Sequence, residues 1–109
     1  MARRPGRPPP PRDPFDPLDG RVADTFDLHG ATGVQARAQV GAYLQRARQR
    51  HPGELVHIIT GRGRNSPGRP VLRPTVQAVL RAAPAALVAR WGPDYDGGGF
   101  LVRLGGGLF

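Results

Sequence analysis

The sequence predicts an α/β domain, a two-layer sandwich with the element order β-α-β-α-β-β. Two segments have the pattern of strands: residues 22–28 alternate with a period of two, and residues 54–60 are an apolar run rich in β-branched side chains. A helical repeat follows each run, and two short β-rich segments, residues 87–91 and 100–104, complete the order. Strands that alternate with helices are typical of a sheet with parallel neighbours.

The first strand and the first helix follow from alternation and from a capping signal. Three apolar side chains alternate onto one face of the strand: Val22, Phe26 and Leu28. Thr32 suits an N-cap position, and Gln35 completes a capping box, so a helix should cover residues 33–50. Its predicted inner stripe consists of Val34, Ala38, Gly41, Ala42 and Leu44. The sequence His51-Pro52-Gly53 ends this helix.

A loop rich in glycine and arginine separates the second strand from the second helix. Residues 54–60 (ELVHIIT) are rich in β-branched side chains and form the clearest strand pattern of the chain. After the loop at residues 61–69, Pro70 suits a first helical turn, where its missing N–H has no partner to lose. The apolar residues of this helix recur at helical spacing: Leu72, Val76, Val79 and Leu80. Pro74 falls in the first turn, and Ala83-Pro84 ends the helix.

The ends of the first two strands are predicted to meet. A strand–helix–strand unit makes the two strands parallel neighbours through a right-handed crossover. Parallel neighbours end at the same edge of the sheet, which is where ligands bind in open α/β sheets. The segments DLHG, residues 27–30, and TGRG, residues 60–63, should therefore face each other across one rim of the sheet.

The first twenty residues differ in composition from the rest, since they hold seven of the thirteen prolines and four arginines. Such a tract buries too little surface to offset its ordering entropy, so we expect a disordered arm over residues 1–20. Residues 21–109 then form one domain, of a size that folds without disulfides or metals.

The net charge of +8 favours an anionic partner. All sixteen basic residues are arginine, whose planar fork matches the geometry of phosphate. The codon bias of a GC-rich genome explains the choice of arginine over lysine equally well. It does not explain the excess of positive charge.

Several classes of protein are disfavoured. The chain has no cysteine, which excludes a disulfide framework and thiolate metal sites. No apolar run approaches the roughly 20 residues that span a membrane, and no apolar segment follows the basic N-terminus as in a secretory signal. We expect a soluble, cytoplasmic protein with no membrane association.

Asp27 and His29 are candidates for acid–base chemistry. Two residues apart on a strand, their side chains lie on the same face, opposite Phe26 and Leu28. A carboxylate beside an imidazole fixes the tautomer of the ring and raises its basicity. The alternative is a structural pair, in which Asp27 caps backbone amides and His29 fills a half-exposed position.

The segment Thr60-Gly61-Arg62-Gly63 has the composition of a phosphate-binding loop. Glycines let backbone N–H groups approach an anion, and the N-terminus of the following helix adds its positive end. Residues 60–73 contain no acid and four arginines: Arg62, Arg64, Arg69 and Arg73. No nucleotide cofactor is predicted, because the Gly-Lys-Ser/Thr of an ATP-binding loop is absent and Ser66 replaces the third glycine of a dinucleotide motif. The alternative is a flexible strand-to-helix connection.

Together these motifs resemble the Smr (small MutS-related) domain family, from about residue 26 to residue 104. The resemblance rests on four segments in this order: Asp27-Leu28-His29-Gly30, Thr60-Gly61-Arg62-Gly63, Val71-Leu72-Arg73-Pro74 and Gly97-Gly98-Gly99. It implies a two-layer α/β fold similar to the C-terminal domain of translation initiation factor three. It also implies a nucleic-acid endonuclease, which nicks DNA in some members and cleaves RNA, including ribosome-bound messages, in others.

The resemblance implies roles for residues of this chain. The family's catalytic acid and histidine correspond to Asp27 and His29, and the glycines that border its site correspond to Gly61 and Gly63. The predicted phosphate- and nucleic-acid-binding residues are Gly30, Thr60, Gly61, Arg62, Gly63, Arg64, Arg69 and Arg73.

Thr60 departs from the pattern of many family members, which carry histidine at that position, whereas others carry threonine. A second imidazole is therefore missing there. His57 is not expected to replace it, because a residue three positions back on a strand faces the opposite side.

The predicted function is a nucleic-acid endonuclease, with DNA or RNA as partner and the ribosome among its expected targets. One carboxylate and one imidazole are a thin ligand set, so no metal is required in this prediction and Mg²⁺ or Mn²⁺ is at most stimulatory. The first alternative is a non-catalytic module that binds nucleic acid or the ribosome through the arginines and the glycine loop. The second is a module whose basic rim docks an acidic protein.

Overall fold

The structure, a computed structural model, describes residues 18–28, 31–61, 72–94 and 97–106. In these residues two helices pack on a four-stranded sheet, as two layers. The elements are β1 (Val22–Asp27), α1 (Gly33–Arg50), β2 (Leu55–Ile59), α2 (Leu72–Ala82), β3 (Val88–Pro93) and β4 (Gly99–Leu104). The predicted element order and the two-layer α/β class are confirmed. The likeness to the initiation-factor domain stays a prediction.

The sheet is mixed, with the strand order β1-β2-β4-β3. β1 and β2 are parallel, as the crossover through α1 predicts. β4 is the last strand in the sequence, yet it lies between β2 and β3 and is antiparallel to both. The parallel pair brings the ends of β1 and β2 to one rim of the sheet, and the N-terminal end of β4 adjoins the same rim.

The first helix begins and ends where its sequence signals predict. The hydroxyl of Thr32 accepts a hydrogen bond from the Gln35 backbone N–H at 3.1 Å, and the Gln35 side chain accepts one from the Thr32 N–H at 3.0 Å. This reciprocal pair is a capping box, which satisfies two of the backbone donors that a helix leaves unpaired at its start. The helix ends at Arg50, directly before His51.

The predicted inner stripe of α1 is wrong. The side chains that face the core are Ala36, Val40, Tyr43, Leu44 and Ala47. Of the predicted stripe only Leu44 is buried, and Val34 is 84 % exposed. Small or apolar residues recur at helical spacing on two faces of this helix. The face with Val40, Tyr43 and Leu44 is the buried one because these larger side chains remove more apolar surface from water.

Tyr43 joins α1 to β1. Its ring stacks on Phe26, with centroids 4.4 Å apart, and its hydroxyl donates to Asp24 Oδ2 at 2.7 Å. Burial raises the pKa of Tyr43 well above its ordinary value, and the hydrogen bond to Asp24 raises it further. The register of β1 against β2 shifts between Val22 and Asp24. Val22 is 38 % exposed. It therefore does not pack in the core with Phe26 and Leu28, although the predicted alternation placed all three on one face.

The second helix has the predicted apolar stripe. Val76 and Leu80 are buried, and Leu72 and Val79 are partly buried against the same core. Pro74 lies in the first turn, where its missing N–H removes no helical hydrogen bond. Neither helix in the described part of the chain has the length and apolar character needed to cross a membrane.

Both helices cover one side of the sheet, which we call the helix face. The strand residues of the core on this side are Leu28, Val56, Ile58, Val88, Phe100, Val102 and Leu104. Side chains alternate along a strand, so the residues between them lie on the opposite side, the open face. Asp27 and His57 are among the residues of the open face.

A short segment before β1, Leu18–Gly20, lies on the open face and is called the strap. Arg103 on β4 donates to the carbonyl oxygen of Asp19 at 2.9 Å. The Leu18 side chain lies over Gly92 on β3, where a Cβ would come within 2.8 Å of it. The last residues of the predicted arm thus contact the sheet. Residues 1–17 lie outside the described ranges, and the predicted boundary after residue 20 stays a prediction.

Candidate functional site

The ends of β1 and β2 meet at the rim, as the two sequence motifs predict. Asp27 pairs with Ile59, and the Leu28 N–H donates to the Ile59 carbonyl oxygen at 2.8 Å. The Leu28 carbonyl oxygen accepts a hydrogen bond from the Ala31 N–H at 2.8 Å. His29 and Gly30 lie outside the described residues, and their place beside Asp27 stays a prediction.

Asp27 is exposed on the open face. Its neighbours Phe26 and Leu28 both pack toward the core. The period of two therefore turns the Asp27 carboxylate away from the helices. This is the orientation that the sequence predicts, and it leaves the carboxylate accessible at the rim.

Thr60, in contrast, is buried, with 4 % of its surface exposed. Its hydroxyl lies within hydrogen-bonding distance of the carbonyl oxygens of Gly61, at 3.0 Å, and Gly98, at 3.3 Å. Thr60 continues the helix-face side of β2, opposite to the side of Asp27. A hydroxyl engaged in this way supports the backbone of the rim, and a direct phosphate contact by Thr60 stays a prediction.

Three consecutive glycines, Gly97–Gly99, form the triglycine loop at the start of β4. The carbonyl oxygen of Gly98 accepts hydrogen bonds from the backbone N–H groups of Thr60, at 2.9 Å, and Gly61, at 3.0 Å. The Gly61 N–H therefore already has an acceptor. The predicted contacts between loop amides and an anion then depend on N–H groups that follow Gly61 in the chain.

Arg73, predicted to bind phosphate, is anchored to the triglycine loop. Its Nη1 donates to the carbonyl oxygens of Gly97, at 2.9 Å, and Gly99, at 3.3 Å. Its guanidinium carbon lies 4.4 Å from the centroid of the Phe100 ring, a cation–π geometry. A Cβ on Gly99 would collide with the Ile58 carbonyl oxygen, so the loop must be glycine where it meets β2. Phosphate binding by the other guanidinium nitrogens of Arg73 stays a prediction.

The remaining predicted binding residues lie outside the described ranges: Arg62, Gly63, Arg64 and Arg69. Their assignment stays a prediction. Within the described ranges, no three His, Asp or Glu side chains lie close enough together to hold a metal ion.

The structure reveals an acid–histidine pair that sequence reasoning missed. His57 Nε2 lies 2.8 Å from Asp94 Oδ2, and the two side chains are 27 % and 9 % exposed. Asp94 Oδ1 is buried and has no hydrogen-bond partner within the described ranges. A histidine in the otherwise aliphatic run LVHII was the available signal. Its partner is 37 residues away and has no local signature.

The order of these motifs matches a known domain family. The sequence model of the Smr domain family matches residues 26–102. This chain belongs to the Smr family. Smr domains bind nucleic acids and are associated with nuclease activity. The matched region of this Smr domain contains every rim residue described above and leaves the strap outside.

A curated relative supports the same region. An uncharacterized protein of Treponema pallidum (strain Nichols) is 38 % identical to this Smr chain over 61 residues. The alignment covers 56 % of this chain and 30 % of the relative, so the chain spans about 30 % of that protein's length. The name of the relative assigns no activity.

Proposed function

We propose that this Smr domain is an endonuclease that cleaves a phosphodiester bond at the rim formed by β1 and β2. The observation that carries the proposal is the parallel pairing of these strands, which sets Asp27 beside the end of β2, where the TGRG segment begins. Membership of the Smr family supports nucleic acid as the substrate. The net charge of +8 supports it as well, because neutralising phosphates dominates nucleic-acid affinity.

In this proposal His29 acts as the general acid or base at the scissile phosphate, and Asp27 orients its ring. In RNA, His29 removes the proton of the 2′-OH, whose oxygen attacks the adjacent phosphorus. The bond from phosphorus to the 5′ oxygen breaks, and this oxygen leaves with a proton from water. In DNA the attacking group is water, and Asp27 with His29 is the pair available to hold a divalent cation. Arg62, Arg64 and the Gly63 N–H stabilise the charge that develops on the phosphoryl oxygens.

The described residues at the rim supply the support for this chemistry. Thr60 and Arg73 fix the triglycine loop through its carbonyl oxygens. The loop in turn holds the backbone of Thr60 and Gly61 at the end of β2. A site fixed from both sides keeps reacting groups in place, which contributes to catalysis through orientation.

The test is cleavage of a supercoiled plasmid and, separately, of a structured RNA, each with magnesium, with manganese and with chelator. Wild-type protein is compared with His29→Ala and Asp27→Asn. His51→Ala is the matched control, because His51 follows the last residue of α1 at the other end of the sheet. We expect the rate to fall roughly a hundredfold or more in both site variants, with binding retained, and to stay unchanged in the control. Undiminished cleavage by both site variants would contradict the proposal.

The second candidate is a non-catalytic module that binds nucleic acid or the ribosome through the same surface. The observation that favours it is the buried Thr60 hydroxyl, which already lies against two carbonyl oxygens and offers no acid–base group to solvent. Tight binding without cleavage under any of the conditions above would decide for this function.

A further inference from the structure

His57 shares the open face with Asp27. On β2, Val56 and Ile58 face the core, so His57 faces away from the helices, as Asp27 does on β1. In the parallel register Thr25 lies opposite His57, and Asp27 is two residues further along β1. The strand spacing and the rise of two residues then separate the Cα atoms of Asp27 and His57 by about 8 Å.

His57 and Thr60 face opposite sides of the sheet, as the sequence predicts, so His57 does not take the place of a histidine at position 60. Thr60 is buried beside the helix face, and His57 is partly exposed on the open face. Asp27, however, lies on the side of His57. Asp27, the acid of the predicted catalytic pair, and the His57 imidazole therefore lie on the same side of the molecule.

Asp94 holds the ring of His57. It follows the last residue of β3, beside Gly99 of β4, and its carboxylate reaches His57 Nε2 at 2.8 Å. An ionised carboxylate only accepts hydrogen bonds, so Nε2 carries the hydrogen and Nδ1 is left for another partner. Among the described residues no group hydrogen-bonds to Nδ1.

Asp94 is not explained by stability alone. Its Oδ1 is buried, and none of the residues that the structure describes hydrogen-bonds to it. A buried carboxylate oxygen without a partner destabilises a fold. The side-chain contact that the structure describes for Asp94 is with His57, which points to this ring as the group on which the carboxylate acts.

The charges of the open face fit a bound anion beside His57. An imidazole with a hydrogen on each ring nitrogen donates from both, so His57 can donate from Nε2 to Asp94 and from Nδ1 to a phosphate. Arg90, which is exposed, and Arg103 are paired across β3 and β4 and extend positive charge over the same face. The strap covers Gly92 and Arg103 on this face, so a nucleic-acid strand reaches His57 from the rim, beside Asp27.

We propose that His57 is a further substrate-contacting residue of this site, whose Nδ1 meets a phosphate of the bound strand. Asp94 is its positioning residue. The proposal rests on the proposed function, because it extends the same rim onto the open face. It adds a contact that does not depend on His29.

The test separates the two nitrogens of His57. In His57→Gln the side-chain amide replaces Nε2 and keeps a partner for Asp94, but nothing replaces Nδ1. His51→Gln is the matched control, since it makes the same change at the end of α1. Affinity is measured by fluorescence anisotropy with a labelled single-stranded DNA and with its 2′-O-methyl RNA counterpart. We expect about tenfold weaker binding for His57→Gln, the loss of one hydrogen bond to a charged group, and none for the control.

Histidine-ring NMR of the wild type provides a readout that needs no variant to fold. The chain has three histidines, so the ring signals are assigned by single substitution. Adding either oligonucleotide should shift the His57 Nδ1 signal and leave the His51 ring unchanged. Asp94→Asn should reduce the shift, because the ring loses its orientation.

The outcomes distinguish this proposal from the proposed function. Equal affinities of wild type and His57→Gln, with an unmoved His57 signal, overturn the contact and leave the chemistry of Asp27 and His29 intact. A wild type that binds, shifts the His57 signal and cleaves neither substrate supports the contact and overturns the endonuclease. A folded wild type that binds neither probe overturns both.

Discussion

Thr60 and Arg73 direct their hydrogen-bonding groups to the backbone of the triglycine loop. Each such bond contributes only on the order of 1 kcal/mol to stability. The more important effect of these bonds is to hold the triglycine loop in place. Thr60 connects the end of β2 to the Gly98 carbonyl oxygen, and Arg73 connects the start of α2 to the carbonyl oxygens of Gly97 and Gly99. At the scale of single residues, the rim is a fixed frame before any ligand binds.

Tyr43 provides a residue-scale prediction, because its buried hydroxyl donates to Asp24. The chain has no lysine and no cysteine, so between about pH 9 and pH 12 only tyrosines titrate. The folded pKa of Tyr43 lies above the ordinary value of 10.0, so unfolded chains lose the proton first. The associated stability is fully present below pH 10 and is lost as the pH rises toward the folded pKa.

Tyr43→Phe should therefore remove this fall in stability above pH 10. At neutral pH it should lower the free energy of unfolding by about 1–3 kcal/mol, the worth of a hydrogen bond to a charged group. Urea denaturation of both proteins at pH 7 and at pH 11 measures each effect. Parallel losses of stability in the two proteins at high pH would show that Tyr43 is not the titrating group.

At the scale of elements, the sequence predicts where helices and strands begin and end better than it predicts which elements pack together. The capping box of α1 is local, so Thr32 and Gln35 locate the start of the helix without knowledge of the rest. Which face of α1 is buried depends on Phe26 and Asp24 of another element. The Asp94–His57 pair is harder still to predict from the sequence, because the two residues come together only through the placement of β4 between β2 and β3.

Replacing two glycines, Gly41 and Gly61, by alanine should change the free energy of unfolding in opposite directions. Gly41 is interior to α1, and a Cβ there meets nothing within 4 Å. Gly41→Ala should raise the free energy of unfolding by about 1 kcal/mol through helix propensity alone. Gly61 has a φ of 82°, in the left-handed region, so Gly61→Ala should lower it by about 1–2 kcal/mol.

Thermal or urea denaturation of the two glycine variants checks both signs in one experiment. Both variants add one methyl group. A difference in their effects therefore does not come from added apolar surface, and each variant serves as the control for the other. A stabilising Gly61→Ala would mean that the end of β2 relaxes to a negative φ without cost.

At the scale of the whole molecule, the acids of the described residues are confined to one side of the two-layer arrangement, although the sheet also carries Arg90 and Arg103. The two helices carry arginines and no acid. The acids of the described residues lie on the strap, on strands or in connections: Asp19, Asp24, Asp27, Glu54 and Asp94. The strap packs on the sheet layer, since Asp19 and Leu18 contact β4 and β3 on the open face.

Truncation tests the strap as part of the domain. Deleting residues 1–17 should leave the free energy of unfolding unchanged within error. Deleting residues 1–20 should lower it by about 1–3 kcal/mol, because Leu18 loses its packing and Arg103 loses the Asp19 carbonyl. Urea denaturation of the two truncated proteins gives the comparison. Equal stability of both would show that the strap adds nothing to the fold.

The position of β4 bears on the biosynthesis of the protein. This strand is the last of the six elements to leave the ribosome, yet it occupies the interior of the sheet between β2 and β3. Until it emerges, the nascent chain presents a β2 edge of unpaired backbone groups beside Val56 and Ile58, which is a template for wrong pairing. The β4 side of β2 gains its partner only once Gly99–Leu104 has been synthesised, so the opportunity for wrong pairing lasts until the end of this domain is made.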